Sequence, residues 1–189
     1  MNKYERDDRQ RLDFQLAKIA RRDSPPGWVK LPNVWLEGVV GIGFSRRKTN
    51  LLLVVTHDGR YLLDCESGTQ IAKDPAPYEG LDDHNLNCEG IGEIADEDVR
   101  LASIWGGGLS LCNRYGETAS IETPEWSLKH LIFCDTQSDA LTEGKQEGCC
   151  VLLVDEIRFC GFSYCGNHLA AASFEDVYLW RRDGRSDAD

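Results

Sequence analysis

The sequence predicts a mainly β protein built from antiparallel strands, with one helix at the N-terminus. Three observations support this fold class. The first 22 residues place apolar side chains at helical spacing, a proline-rich segment ends that pattern, and short apolar runs bounded by turn residues follow. Two of these runs share a Gly-Phe-Ser motif, so the β region carries an internal repeat. With 189 residues and 41% apolar side chains, the chain can bury a substantial core.

The N-terminal segment predicts a charged amphipathic helix. Residues 4–22 contain neither glycine nor proline, and Leu12, Leu16 and Ile19 recur at the spacing of one helical face. Residues 23–27 end this helix, because proline cannot continue the helical hydrogen bonds. Three parts are thus predicted: an N-terminal charged amphipathic helix over residues 1–24, a β-repeat domain over residues 25–184 and a tail over residues 185–189.

The first copy of the repeat predicts a pair of hairpins. Residues 41–45, 51–56 and 60–64 read as consecutive strands. The dipeptide Asp58-Gly59 predicts a two-residue hairpin loop, because both residue types tolerate the positive φ angles of such a loop. Residues 66–68 predict the next turn.

Two further copies complete the predicted repeat. The last copy has an acidic turn at Glu175-Asp176 and three predicted strands: residues 158–163, 169–173 and 177–180. A middle copy fits between the other two, with strands at 99–105 and 109–114 joined by a triple-glycine turn. The Gly-Phe-Ser motifs start at Gly43 and Gly161, a separation about three times the ~40 residues of a propeller blade.

These segments resemble WD40-type β-propeller repeats. The last copy is the most similar, with a small-residue strand, Ser173, an acidic turn and Tyr178-Leu179-Trp180, whereas the first copy has Leu63 at the family's tryptophan position. The resemblance implies antiparallel WD40-like blades, and the roughly 160 residues after the helix correspond to four of them. A small closed propeller, an incomplete propeller finished by a partner chain, and another antiparallel β fold with similar hairpins remain open.

One segment departs from the repeat. Thr123-Pro124 is typical of a helix start and predicts a short helix over residues 124–132. Residues 131–134 and 150–154 read as strands, joined by a polar loop over residues 135–148.

The charge pattern favours a basic protein partner. The formal net charge is −11, and residues 74–99 hold nine acidic residues without a lysine or arginine. Such a surface argues against nucleic acid as a partner, because phosphate binding requires basic side chains. An acidic patch instead steers a basic protein, although a solvated loop is the alternative explanation. The predicted partner-binding residues are Tyr78, Glu79, Asp82, Asp83, His84, Glu89, Glu93, Asp96, Glu97 and Asp98.

The cysteines and the apolar runs bear on location. No stretch approaches the ~18 apolar residues of a membrane span, and the charged N-terminus is unlike a signal peptide. We therefore expect a cytoplasmic protein without membrane contact, whose eight cysteines are reduced. Four of them lie in apolar runs, where cysteine acts as a small buried residue: Cys65, Cys112, Cys134 and Cys160.

The sequence predicts neither a cofactor nor a catalytic site. No Gly-x-Ser-x-Gly motif is present, and the triple glycine lacks the lysine of a phosphate-binding loop. The compact spacing of Cys160, Cys165 and His168 keeps open a zinc site or a thiol-dependent enzyme, but no second ligand pair accompanies it. Tryptophans 28, 35, 105 and 126, with Tyr78, are either core residues or interface anchors.

The leading hypothesis is therefore a non-catalytic protein-binding module. Its size and acidity are those of an immunity-type inhibitor, which captures a basic protein such as a nuclease toxin. The alternative is a structural or scaffolding subunit, an incomplete β-propeller completed by self-association into a homo-oligomer or by a larger complex. A metal- or thiol-dependent enzyme using Cys165 and His168 is the second alternative.

Overall fold

A computed structural model describes residues 3–76, 78–124 and 127–184. Within them the protein is mainly β with one α-helix, which confirms the coarse fold prediction. Helix α1 spans Lys3–Leu16, and a single 3₁₀ turn spans Gly92–Ile94. The predicted tail over residues 185–189 lies outside the described residues.

The described strands are short and follow one another closely. The strands in the N-terminal half are β1 (Ala20–Arg21), β2 (Trp28–Lys30), β3 (Val34–Trp35), β4 (Val39–Phe44), β5 (Leu51–Thr56), β6 (Gly59–Asp64), β7 (Thr69–Asp74), β8 (Leu81–Asp82) and β9 (Asn87–Glu89). The strands that follow are β10 (Asp98–Arg100), β11 (Ala102–Ser103), β12 (Gly106–Gly107), β13 (Thr118–Glu122), β14 (Lys129–Cys134), β15 (Cys149–Asp155), β16 (Phe159–Phe162), β17 (His168–Ala172) and β18 (Asp176–Arg182).

The N-terminal helix is shorter than predicted. It ends at Leu16 rather than continuing to residue 22, because the backbone from Ala20 onward pairs in a sheet. Strand β1 pairs in parallel with β15, and the backbone N–H of Arg22 donates to the carbonyl of Val151 at 3.0 Å. Leu16 and Ile19 are buried as their spacing predicted. Ile19, however, lies beyond the end of the helix.

The three predicted strands of the first repeat copy form the antiparallel meander β4-β5-β6, to which the structure adds β7 as a fourth strand. Its β5–β6 loop lies one residue earlier than predicted, with His57 and Asp58 between the paired residues Thr56 and Gly59. Gly59 has a φ of 138°, and a Cβ atom there would lie 2.1 Å from the carbonyl oxygen of Asp74. Glycine is therefore required by the close approach of β7 to β6 at this point as well as by the turn.

The three predicted strands of the last repeat copy are confirmed, and an N-terminal strand completes their sheet. Strands β16, β17 and β18 form a meander, and β2 pairs with the free side of β18. Lys30 lies opposite Trp180 in this pairing. The buried indole of Trp180 also donates its Nε1–H to the carbonyl of Asp23 at 2.8 Å, which fixes the segment that leads into β2.

The prediction that residues 99–114 form a third copy of the repeat is wrong. Its first predicted strand breaks at Leu101, so that β10 pairs with β9 whereas β11 pairs with β4. The glycines do not form the turn, because Gly107 pairs with Ala102 in β11 and only glycine permits this close approach. The second predicted strand makes single bridges only, one of them between Ser110 and Phe162.

The predicted helix over residues 124–132 is also wrong. Residues 129–134 form the inner strand β14, and Glu125 and Trp126 lie outside the described residues. Side chains alternate along β14, with Leu131 buried in one core cluster and Ile132 in another. Neighbouring side chains of a strand point to opposite faces, so β14 buries one in each core cluster. Neighbouring side chains of the predicted helix would not point in opposite directions.

The sheets stack face to face in layers. The sheet of β13, β14 and β15 packs on one side against α1, through Leu16 and Ile132. Its other side packs against the sheet of β16, β17 and β18, where Phe133 and Phe162 have ring centroids 6.4 Å apart.

The remaining two sheets continue this stack. The opposite face of β16–β18 packs against β4–β7, where Ala170 and Val54 share a core cluster. The far face of β4–β7 packs against the sheet of β8, β9 and β10 through Leu53 and Val99. Both faces of the two inner sheets are therefore buried, and the loops gather at two ends. The Ser45 end consists of loops 45–50, 65–68 and 163–167. The His57 end consists of loops 57–58, 104–105 and 173–175.

Candidate functional site

The outermost sheet carries carboxylates on its free face. Cys88 and Val99 of this sheet point into the core, and both are almost completely buried. Because side chains alternate along a strand, Asp82, Glu89 and Asp98 lie on the opposite, outward face. The sheet thus separates an apolar inner face from an acidic outer one.

Two carboxylates on that face lie directly opposite each other. Glu89 of β9 pairs with Asp98 of β10, and both residues are exposed. Cβ atoms of opposed residues lie about 5 Å apart, and like charges in this arrangement destabilise a sheet. Arg100 lies further along the same face, opposite Asn87. Both carboxylates are exposed to solvent, and the guanidinium of Arg60 donates to the backbone carbonyl of Glu89 at 3.0 Å.

The β8–β9 hairpin places Asp83 and His84 at its exposed tip. Asp82 holds the backbone of the tip in place. Its Oδ1 accepts hydrogen bonds from the backbone N–H of Asn85 at 2.9 Å and from that of His84 at 3.1 Å. The backbone and side-chain hydrogen bonds from Asn85 lower the pKa of Asp82. Asp82 therefore has a local structural role in addition to its charge.

Three of the predicted contact residues lie elsewhere, at the Ser45 end. Glu93 forms an ion pair with Lys48, and Asp96 forms one with Arg47, all four side chains being largely exposed. Glu97 is only 8% exposed. Its carboxylate accepts a hydrogen bond from the hydroxyl of Ser45 at 2.6 Å and another from the backbone N–H of Arg46 at 2.7 Å. The structure thus places Glu97 inside the fold rather than on a partner-binding surface.

Exposed aromatic side chains gather at the His57 end. Tyr78 is 42% exposed and Trp105 is 44% exposed, and their ring centroids lie 6.4 Å apart in an edge-to-face arrangement. The ring of His57 contacts Tyr78 on one side and Phe174 on another, with centroids 6.0 and 6.2 Å away. Ile104, beside Trp105, is 51% exposed. Sequence reasoning selected Tyr78 but missed His57, Ile104 and Phe174.

The other tryptophans divide between core and surface. Trp28 of β2 is buried against the sheet of β13–β15, whereas Trp35 of β3 is exposed. Trp126 lies outside the described residues.

The aromatic side chains and the acidic sheet are continuous. Glu79 follows Tyr78 and is exposed, and Gly80 lies against the side chain of Glu89. Leu86 of the β8–β9 hairpin borders Gly106, next to Trp105. We call this continuous region the acidic–aromatic surface: Tyr78, Glu79, Asp82, Asp83, His84, Glu89, Asp98, Ile104 and Trp105.

A second group of carboxylates lies beyond Phe174. A cleft of about 420 Å³ is lined by Arg158 and Phe174 and by four acidic residues: Asp155, Glu156, Glu175 and Asp176. Burial raises the pKa of Asp176, and the charge of Asp155 raises it further. The guanidinium of Arg158 lies 4.8 Å from the centre of the Phe174 ring, so this cleft already contains a cation.

The candidate cysteine and histidine do meet, at the Ser45 end. Cys165 Sγ lies 3.8 Å from Nδ1 of the buried His168, and the other ring nitrogen, Nε2, donates to Glu66 Oε1 at 2.8 Å. Cys160 lies apart, buried in the core next to β13–β15. No group of three or more potential ligands in the described part of the chain is arranged to hold a metal ion. Cys165 and Glu66 contact opposite sides of the imidazole, so they cannot share a metal with it. Glu66 carries no local sequence signal.

No protein-family model matches this chain, and no curated protein sequence matches it either. Within residues 3–76, 78–124 and 127–184, no helix is long and apolar enough to cross a membrane.

Proposed function

We propose that this protein is a non-catalytic binding module that captures a basic protein through the acidic–aromatic surface, in the manner of an immunity-type inhibitor. The observation that carries this proposal is the exposed pair of opposed carboxylates, Glu89 and Asp98, next to exposed aromatic side chains. A surface that joins fixed negative charge to large apolar side chains has both components of a protein-binding site.

The opposed carboxylates supply the charge recognition. Glu89 and Asp98 repel each other in the free protein, because they face each other across two paired strands. A lysine or arginine from a partner, placed between them, removes that repulsion and gains two attractive contacts. The net charge of −11 adds long-range steering toward such a partner.

The aromatic side chains supply the apolar anchor. Tryptophan and tyrosine account for a large share of binding energy at protein interfaces. Trp105 and Tyr78 already contact each other, so binding fixes little additional side-chain freedom. Their exposed area is available to a partner without rearrangement of the core.

We further propose that the stack of sheets is a WD40-like, incomplete β-propeller. Three features support this: the sheets pack face to face, sheets that follow each other in the chain are neighbours in the stack (β4–β7 with β8–β10, and β13–β15 with β16–β18), and β2 completes the C-terminal sheet. Strand β2 pairs with β18, so a strand from the N-terminal part of the chain completes the sheet of the C-terminal part.

The test compares capture of a partner by matched variants of the full chain. Immobilised protein is incubated with extract of the native cell, cross-linked, and washed at low and at high salt. The variant E89Q/D98N removes the opposed pair, and the control E143Q/E147Q removes two exposed carboxylates from the loop before β15. Asp82 is left intact because it holds the hairpin.

The expected result is one basic protein retained at low salt by the wild type and the control, and lost both from E89Q/D98N and at high salt. Equal retention by E89Q/D98N and the control would contradict the proposal.

A structural or scaffolding subunit is the second candidate, and the edge of one sheet favours it. Strand β7, Thr69–Asp74, is the last strand of its sheet and is largely exposed, with Ile71 43% exposed. An exposed edge can pair with another chain or with a second copy. Ultracentrifugation of the isolated chain at low and high salt separates the two candidates. Self-association by edge pairing resists salt and increases with protein concentration, whereas a protein that only captures a basic partner remains monomeric.

A further inference from the structure

A cluster of four polar side chains, one of them a thiol, lies at the Ser45 end, far from the acidic–aromatic surface. Ser163, Cys165 and His168 belong to the loop between β16 and β17 and to the first residue of β17. Glu66 comes from the β6–β7 turn of the neighbouring sheet. Cys165 is partly exposed, whereas His168 is completely buried, so the thiol lies between solvent and the imidazole.

The hydrogen bonds around His168 favour a protonated ring. Its Nε2 lies 2.8 Å from the carboxylate of Glu66, and its Nδ1 lies 3.8 Å from Cys165 Sγ and 3.4 Å from Ser163 Oγ. Nε2 faces the carboxylate of Glu66, which can only accept, so Nε2 carries a proton, whereas Nδ1 faces a thiol and a hydroxyl and carries a second proton when Cys165 is a thiolate. A thiolate at Cys165 is the acceptor that completes this arrangement.

Ser163 adds a second donor to the sulfur. Its Oγ accepts the backbone N–H of His168 at 3.1 Å, which leaves the hydroxyl proton free to point at Cys165 Sγ, 3.2 Å away. Other charged groups lie on the adjoining loops of the described chain. The guanidinium of Arg46 stacks on Tyr164 at 5.4 Å, and the side chain of Arg114 borders Gly166.

We propose that Cys165 is a reactive thiolate, activated by His168 and Glu66, and that it is a modification site for peroxides and related soft electrophiles. The sulfur attacks one peroxide oxygen, so that an S–O bond forms and the O–O bond breaks. The sulfur loses two electrons to become a sulfenic acid, and the peroxide is reduced. The leaving hydroxide takes the proton of the His168 imidazolium and departs as water.

The other cysteines provide a contrast within the same chain. Burial raises the pKa of Cys160 to about 12 and that of Cys150 to about 11. For Cys165, burial acts in the same direction, but hydrogen bonds with His168, Ser163, Thr49 and the backbone of Asn167 together outweigh it and lower the pKa. Cys112 was expected to be buried but is an exposed thiol, because its segment makes only single bridges, and it therefore serves as the accessible reference.

The decisive experiment measures alkylation of each cysteine by iodoacetamide across a pH series, with peptides quantified by mass spectrometry. The expected midpoint for Cys165 is at least about one pH unit below that for Cys112. The substitution E66Q is expected to raise the midpoint of Cys165 and to leave that of Cys112 unchanged, a response that a purely structural role of Glu66 would not produce. Circular dichroism checks that E66Q is folded.

A second readout tests the chemistry. After brief treatment with hydrogen peroxide, dimedone is expected to label Cys165 and not Cys112, and C165S is expected to remove the label. A Cys165 midpoint equal to or above that of Cys112 overturns the proposal. Absence of dimedone labelling at Cys165 in the wild type also overturns it.

Discussion

Glu66 accepts a hydrogen bond from the buried His168 at 2.8 Å and thereby joins two sheets that meet face to face. The other copy of the repeat has a related connection, in which Ser45 donates to the buried Glu97 of the next layer at 2.6 Å. In each copy the serine of the Gly-Phe-Ser motif takes part in the network, since Ser163 lies 3.4 Å from His168 Nδ1. The repeated motif therefore marks the points where one layer is tied to the next by a buried carboxylate or imidazole.

The connection between Ser45 and Glu97 is expected to contribute measurably to stability. The substitution S45A leaves the carboxylate of Glu97 buried without its hydroxyl partner, and we expect the free energy of unfolding to fall by about 1–3 kcal/mol. Urea denaturation measures the change. The control is S67A, which removes an exposed serine hydroxyl bonded to Asp64 at 2.7 Å. Equal losses for the two variants would contradict the role assigned to burial.

Burial also separates two ion pairs of the same chemical kind. Arg182 and Glu117 are largely buried, whereas Lys48 and Glu93 are largely exposed. We expect R182M to lower the free energy of unfolding by about 3–5 kcal/mol, because it leaves a buried carboxylate unpaired. K48M is expected to cost no more than about 1 kcal/mol. A loss for R182M as small as that for K48M would refute this contrast.

The stability of the protein is expected to fall in acid partly through Asp64. Burial tends to raise the pKa of Asp64, but hydrogen bonds from Ser67, the Glu66 backbone and Asn50 outweigh it and lower the pKa. A depressed pKa in the folded state means that the stabilisation is complete above the unfolded value of about 3.9 and is lost as the pH falls through the folded value. D64N should therefore flatten the decline in unfolding free energy below about pH 4. An unchanged pH profile would show that Asp64 does not contribute.

The aromatic part of the acidic–aromatic surface is expected to affect binding without affecting folding. Trp105 is partly exposed and contacts Tyr78, so W105A should change the free energy of unfolding by less than about 1 kcal/mol. It should weaken partner binding by at least about tenfold, as expected for an interfacial anchor. W35A is the matched control, since Trp35 is exposed on β3 outside this surface. Equal binding by both variants would exclude Trp105 as an anchor.

Local patterns predicted the strands whose partners are near in sequence. The strands β4, β5 and β6 follow directly from apolar runs and a short turn, because each pairs with its neighbour. The parallel pairing of β1 with β15 could not be predicted, since a two-residue strand has no periodicity and its partner is more than a hundred residues away. The same reason applies to the way β2 completes the sheet of β18.

The acidic segment shows the corresponding limit for a functional site. Composition identified residues 74–99 as a single acidic run, and the alternation within β9 and β10 places Glu89 and Asp98 outward. Nothing local distinguishes Glu97 from these two, because its partner Ser45 lies 52 residues away. His57 and Phe174 were missed for a related reason, as they come together only where loops of different sheets meet.

In the proposed function, Glu89 and Asp98 recognise a cationic group of a protein partner. The most direct measurement is the affinity of the captured partner for the wild type, E89Q/D98N and E143Q/E147Q across a series of salt concentrations. We expect E89Q/D98N to bind at least about tenfold more weakly at low salt and to lose much of the salt dependence, whereas E143Q/E147Q should retain both affinity and salt dependence. Affinity and salt dependence that are the same for both variants would contradict the proposed function.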